Sequence, residues 1–254
     1  GKLAGKYQYF YDNGQVNAEG YYKDGLKSGE WTWYTKQGNR DMQGNFSEGK
    51  QDGKWTYWYP TGELSYTAAY KQDKKEGVWT YYYKNGVKFK EGSFLNDEKN
   101  GKWETFYENG VLLMYGDYLN GKEEGEWFNF WDNSTIKNKS TFKEGVLNGN
   151  WFSHFPNGDL KLMGKYKNGH KTGKWTEYFE GSKPKDVLTY KVVKHKSKVK
   201  YGPMKGHVTY ESVKNGQSIS YSSKDFKKTE EGNFKNGLKD GEWIAYYPGG
   251  KMPA

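Results

Sequence analysis

Cysteine is absent from this chain, which removes disulfides, thiol catalysis and cysteine-ligated zinc together. Proline is scarce, with 6 in 254 residues, so the chain is no polyproline tract. Long apolar runs are missing as well: no stretch of about 18 apolar residues occurs, and a membrane-spanning helix is excluded. The first four residues show no charged-then-apolar export signal, and cytoplasm and periplasm both stay open as compartments. Aliphatic side chains are few, whereas there are 11 Trp, 24 Tyr and 13 Phe, so any buried surface must be mostly aromatic. Glycine is abundant, at 34 residues. Many short strands joined by tight turns fit that mixture, because rings suit a pleated surface and glycine reaches positive φ without steric cost.

The formal charge of +9 suggests at first a nucleic-acid or membrane surface. Most of it is local. Between Lys183 and Lys205 eight lysines face one acid, Asp186, which leaves the rest of the chain close to balanced.

An internal repeat organises the rest. Trp31, Trp55, Trp79, Trp103, Trp127, Trp151 and Trp175 lie 24 residues apart, each two residues after a glycine from Gly29 to Gly173. Gly5-Lys6-Tyr7 opens the series, and Gly241-Glu242-Trp243 closes it. With the leading glycine as position 0, positions 8 and 9 hold Asn13-Gly14, Asn85-Gly86, Asn109-Gly110 and Asn157-Gly158. Asn-Gly between aromatic runs predicts a two-residue type I′ hairpin turn. Positions facing each other then sum to 17, which sets the position 2 tryptophan opposite a glycine at position 15 and the position 0 glycine opposite an aromatic at position 17. The same register places position 6 (Tyr11, Tyr59, Tyr107) opposite position 11 (Val16, Leu64, Leu112) on a core face. Strand alternation sends Thr32, Thr56, Thr80 and Thr176 of position 3 to a wet opposite face. Along that face runs an aromatic stripe at position 5: Phe10, Tyr34, Trp58, Tyr82, Phe106, Phe130, His154 and Tyr178.

This pattern, Gly-x-Trp-x-x-aromatic-aromatic-x-Asn-Gly followed by Gly-x-Tyr-x-x-Gly, resembles the MORN repeat, in the bacterial variant of YwqK-type antitoxins. The resemblance is close over residues 5–180 and loose over 206–250, with Tyr7 in place of Trp and Ala68 and Ser140 in place of glycine as departures. It implies an elongated antiparallel sheet serving protein interaction or membrane association, and the antitoxin label implies a toxin partner.

The expected fold is therefore all-β, an elongated antiparallel β-hairpin repeat array of about 20 strands in a single-sheet solenoid. Regular repeats fill residues 1–180; residues 181–240 hold two expanded, degenerate repeats with a Lys-rich insertion, the second starting at Gly206 with a turn at Asn215-Gly216; 241–254 is a terminal half-repeat of one continuous array. No enzymatic site is expected. The four histidines have no metal-ligand spacing, the glycines open no helix that could hold phosphate, and no carboxylates converge, so neither cofactor nor metal is expected. Candidate partner-binding residues are Lys194, Lys196, Lys198 and Lys200, expected on a loop, together with Tyr34, Trp58, Tyr82, Phe106, Phe130 and His154 of the stripe. A protein partner, a toxin or an assembly component, is the first expectation. An anionic membrane surface or a glycan is the alternative, and nucleic acid is not favoured. At roughly 4.8 Å per strand, some 20 strands would extend on the order of 90 Å before twist, and small-angle scattering should report a maximum dimension far above that of a sphere of this mass.

Overall fold

The computed structural model describes residues 1–196, 207–247 and 250–251. Every regular element among them is a β-strand, and they fall into two compact units, residues 1–123 and 124–254. The first unit carries β1 (Gly5–Phe10), β2 (Val16–Lys23), β3 (Leu26–Tyr34), β4 (Arg40–Ser47), β5 (Lys50–Trp58) and β6 (Leu64–Lys71). It continues with β7 (Lys74–Lys75), β8 (Gly77–Tyr82), β9 (Lys88–Leu95), β10 (Glu98–Phe106) and β11 (Leu112–Leu119). To the second belong β12 (Lys122–Phe130), whose first residues lie at the boundary, β13 (Ile136–Lys143), β14 (Val146–His154), β15 (Leu160–Lys167) and β16 (His170–Phe179). Then follow β17 (Lys183–Lys196), β18 (Val208–Tyr221), β19 (Lys228–Lys235), β20 (Leu238–Tyr247) and β21 (Gly250–Lys251). Within each unit consecutive strands pair antiparallel as a meander.

The sum-of-17 register holds from position 0 to position 4: Gly101 pairs with Tyr118, Trp103 with Gly116 and Thr105 with Met114. It then slips by one residue, so that Phe106 faces Leu112. Position 11 therefore lies across from position 5, and the expected pairing of positions 6 and 11 does not form. The reason is the turn. Asn13 is not in the left-handed region; only Gly14 is, at φ 80°, and Gly14 N donates to Tyr11 O while Tyr11 N donates to Gln15 O. This is a three-residue loop, a type I turn closed by a left-handed glycine, in place of the expected type I′ turn. Position 6 closes that loop, bonded to position 10 and not to position 11. The type I′ turns lie instead between units of the repeat, where Asp24 (φ 53°) and Gly25 (φ 85°) join Lys23 to Leu26.

The tryptophan ring rests on the preceding repeat. Gly92 of β9 pairs with Trp103, while Gly101 and Lys102 bulge out unpaired beside it. A Cβ at Gly92 would lie 2.1 Å from Trp103 Cδ2, and the same approach recurs at Gly20, Gly44, Gly164 and Gly232. At the bulge the indole Nε1 donates to the Ser93 carbonyl at 3.1 Å, as Trp31 does to Tyr21 and Trp243 to Asn233. Position 17 rings stand edge-on to the indole on both sides: Phe94 at 5.2 Å and Tyr118 at 6.1 Å from Trp103. Six of these tryptophans are at most 4 % exposed, which makes them the core.

Position 3 is a correction. Thr32, Thr80 and Thr176 are buried, and Thr80 Oγ1 donates to Glu91 across the pair, so the face opposite the tryptophans is not simply wet. The Lys-rich segment is another. Lys183–Lys196 is strand, paired through Lys194↔Tyr210 and Lys196↔Val208 with β18. Asn215-Gly216 is no turn either: Gly216 pairs with Phe234 as a position 0 glycine and the repeat register resumes there, while the expected start at Gly206 lies outside the described residues. Ser218 then holds the tryptophan place and meets Leu188 at the place of the preceding glycine, so large and small exchange sides of one contact.

Removing the indole of Trp103 with Ala should cost roughly 3–5 kcal/mol. Gly92→Ala should cost less, about 1–3 kcal/mol, because Ala68 already occupies the equivalent place before a still-buried Trp79. Urea denaturation of both variants measures the order, and a neutral Gly92→Ala would show that close approach does not limit the contact.

Candidate interaction surface

Neither face of the strands is covered by a helical layer among the described residues, so both present side chains outward. In the first unit the lane beside the tryptophans is largely aromatic as far as Tyr81, beyond which Lys90, Thr105 and Met114 follow. Its cross-strand pairs run Ala18↔Trp33, Trp33↔Met42, Met42↔Tyr57, Tyr57↔Tyr66 and Tyr66↔Tyr81. Tyr57 and Tyr66 stack at 4.0 Å with an 11° interplanar angle, and Tyr66 and Tyr81 at 5.4 Å. Burial pushes the Tyr57 phenol up to about 12, and raises Tyr66 and Tyr81 as well. In the second unit the corresponding lane is Asn129↔Asn138, Asn138↔Ser153, Ser153↔Leu162, Leu162↔Glu177 and Glu177↔Asp186. It is polar.

The face away from the tryptophans reverses that order. Position 3 and its cross-strand partner at position 14 read Gln8, Glu19, Thr32, Gln43, Thr56, Thr67, Thr80, Glu91 and Glu104 in the first unit, which ends the lane on Tyr115. In the second they read Phe128, Lys139, Phe152, Met163, Thr176 and Val187. Sequence reading missed this exchange, although its signal, a polarity switch at positions 3, 4, 13 and 14, was present.

The predicted stripe lies next to this lane, at the strand ends. Tyr34, Trp58, Tyr82 and Phe106 belong to the first unit, Phe130 and His154 to the second, and all six are half-buried. Each faces a position 11 side chain, as in Tyr34↔Arg40, Trp58↔Leu64, Phe130↔Ile136 and His154↔Leu160. Cations lean over two of them, Arg40 over Trp58 at 5.9 Å and Lys88 over Phe106 at 5.6 Å. Their backbone carbonyls are tied to the previous repeat by its position 6 ring: Tyr11 donates to Tyr34 O at 2.7 Å, Tyr59 to Tyr82 O and Tyr83 to Phe106 O at 2.8 Å, and Trp131 Nε1 to His154 O at 3.2 Å. Asn13, Asn85 and Asn133 reach the following repeat in the same way, donating to Lys36, Glu108 and Pro156 carbonyls.

A second periodic feature was also missed. Lys27, Lys75, Lys99, Lys171 and Lys239, each four residues before a tryptophan, place Nζ 4.5, 5.0, 4.7, 4.4 and 3.7 Å from its ring. Burial holds Lys27 and Lys99 below the usual ammonium range.

Of the predicted lysines, Lys194 and Lys196 are exposed on one side of β17, with His195 between them 3.4 Å from Glu211. Lys198 and Lys200 lie outside the described residues. The described residues contain no group of His, Asp and Glu side chains arranged to hold a metal ion.

With this geometry in hand, comparison with known proteins places the repeat. A family model described as a MORN repeat variant matches residues 3–24, 51–72, 75–96, 99–120, 123–144 and 147–168, together just over half of the chain. The chain belongs to the MORN repeat variant family. No curated protein matches it. Among solved structures it is similar to "Crystal Structure of TcdB2-TccC3-Cdc42", at 11% identity and TM-score 0.24, over 96% of this chain and 12% of that one. A Photorhabdus luminescens Tc holotoxin pore matches at 9% identity and TM-score 0.19, over 97% of this chain and 14% of that one. The chain thus spans less than a sixth of the length of these structures.

His154 supplies a test of the stripe. Burial holds its imidazole below the ordinary value of 6.5, so the folded state disfavours the proton. Stability is then full above about pH 6.5 and is lost as pH falls from there through the folded value. Replacing His154 with Phe should flatten that loss, read as a smaller drop in Tm between roughly pH 7.5 and pH 5 than the unaltered chain shows. An identical drop would place the titrating group elsewhere.

Proposed function

We propose that this chain is a non-catalytic scaffold that binds a protein partner through the lanes of its uncovered faces. Repeats of this family are associated with protein or membrane interaction. The observation that carries the reading is the half-exposed ring lane of Trp33, Tyr57, Tyr66 and Tyr81, on a face with no covering layer among the described residues. Aromatic surface of this kind is the usual material of binding hot spots, since each ring buries a large area at small entropic cost. The exchange of apolar lanes between faces gives the two units different surfaces, suited to different parts of a partner. A finer reading follows the resemblance to YwqK-type antitoxins: the partner is a toxin that the chain neutralises, or a component of an envelope assembly.

A second reading is favoured by the exposed Lys194 and Lys196, which project together from β17. It makes the chain a module at an anionic membrane or cell-wall surface, held by long-range attraction.

Retention of host proteins on the immobilised chain at physiological salt tests the first reading. A double substitution of Tyr57 and Tyr81 by Ser, checked by circular dichroism for an intact fold, should release the retained partner. Retention of anionic vesicles alone, with binding lost as salt rises, would transfer the function to the second reading.

A further inference from the structure

The stretch from the second strand of one repeat, β15, into the first strand of the next, β16, differs from its neighbours on the face away from the tryptophans. A concavity of about 550 Å³ opens there, lined by Asn148, Lys165, Tyr166, Lys167, Thr172, Gly173 and Lys174. Lys165 pairs with Thr172, and Lys174 with Thr189 of the next strand, so all its charged side chains share that one face. Where Asn148 and Thr172 stand, other repeats carry acids: Asp52, Glu76 and Glu124, which accept the N–H of Gln72, Asn96 and Glu144 at the following turn. Between Gly145 and Trp175 the single acid is Asp159, engaged at the far strand end by Gly181 N. Lys165, Lys167 and Lys174 are exposed, and no ion pair of the described residues involves them. This stretch has thus lost its acids and gained a cation, Lys165, between lysines at positions 1 and 18 that several other repeats also carry.

We propose that this groove docks an extended acidic segment of a protein partner, a reading that rests on the scaffold function proposed above. The chemistry favours an extended polyanion over a compact one. Every cation is a lysine, a point charge on a flexible stem, and the chain's lone arginine, Arg40, lies in the other unit, so no guanidinium fork is present for bidentate capture of a phosphate. The basic lane also continues across strands. Lys143, Lys167 and Lys191 occupy one repeat position on β13, β15 and β17. Two strand spacings are about 10 Å, the reach of about three residues of extended chain. Carboxylates at every third residue of such a segment match the lane, and Asn148, Thr172 and Thr189 offer neutral hydrogen-bonding groups between the charges.

The test uses the full chain and a fluorescein-labelled peptide of repeating Glu-Gly-Ser. Binding is followed by anisotropy for three proteins: the unaltered chain, K165E/K167E/K174E, and a charge-matched control, K50E/K54E/K71E. The groove variant should lose about tenfold or more in affinity and most of its salt dependence, and the control about twofold or less. Equal losses in both variants would reduce the effect to net charge and overturn the site. So would absence of peptide binding by the unaltered chain, displacement of the peptide by inorganic phosphate where sodium chloride of equal ionic strength leaves it bound, or a groove variant that loses phosphatidylglycerol vesicles while keeping the peptide. A host protein retained equally by the unaltered chain and the groove variant would leave the scaffold standing and remove this groove from it.

Discussion

An indole ring seated on backbone that carries no side chain is the contact on which the rest of this chain depends. Trp103 lies so close to Gly92 that a single methyl there would overlap the ring. Four further contacts gather on the same ring: its N–H reaches the Ser93 carbonyl, Phe94 and Tyr118 pack edge-on, and Lys99 caps it at 4.7 Å. Each involves a different strand position, so one ring holds three strands in one register. A core made this way lies along the sheet surface, with no second layer needed to bury it. That explains why the composition is rich in aromatics and poor in aliphatics: only a flat ring can cover bare backbone over this area.

The strand ends carry a second, weaker order. At one edge the position 6 hydroxyls and position 8 amides donate to carbonyls of the following repeat; at the other, turn N–H groups such as those of Gly49 and Gly121 donate back to Lys27 and Lys99. These bonds satisfy turn backbone that would otherwise rely on water. They also tolerate the exceptions. Ala68 precedes a buried Trp79, and Ser140 precedes Trp151, which is less buried and follows a Gly149 shifted to φ 142°. At Leu188 and Ser218 the two sizes are exchanged outright, and pairing continues.

Because the ring contact fixes the fold, the lanes beside it are free to change. They do so along the chain, aromatic giving way to polar on the tryptophan side after Tyr81 and polar giving way to apolar on the other from Tyr115 onward. The basic groove of Lys165, Lys167 and Lys174 is the same freedom used for charge, since these three side chains are exposed and none touches the indole contact. Function in such an array belongs to what each repeat places on a shared frame, and not to the frame.

Much of this was legible from residues alone. Gly-x-Trp spaced by 24 determined the strand count, the all-β class, the core line and the register as far as position 4, because a ring that size demands a partner without a side chain at a set distance along the chain. Only the tertiary structure decided which partner. Trp31 and Trp103 each have a glycine on both neighbouring strands, and the bulge at positions 0 and 1 tips the ring toward the earlier one. Asn-Gly suits a type I′ turn and a type I turn with a left-handed glycine equally, so backbone conformation had to choose, and its choice moved position 11 across from the stripe and half-buried it. The Lys-rich segment became strand for a similar reason: Lys191 to Lys196 gain cross-strand partners from Val208 to Val213, and a pairing between residues that far apart leaves no local mark in either stretch.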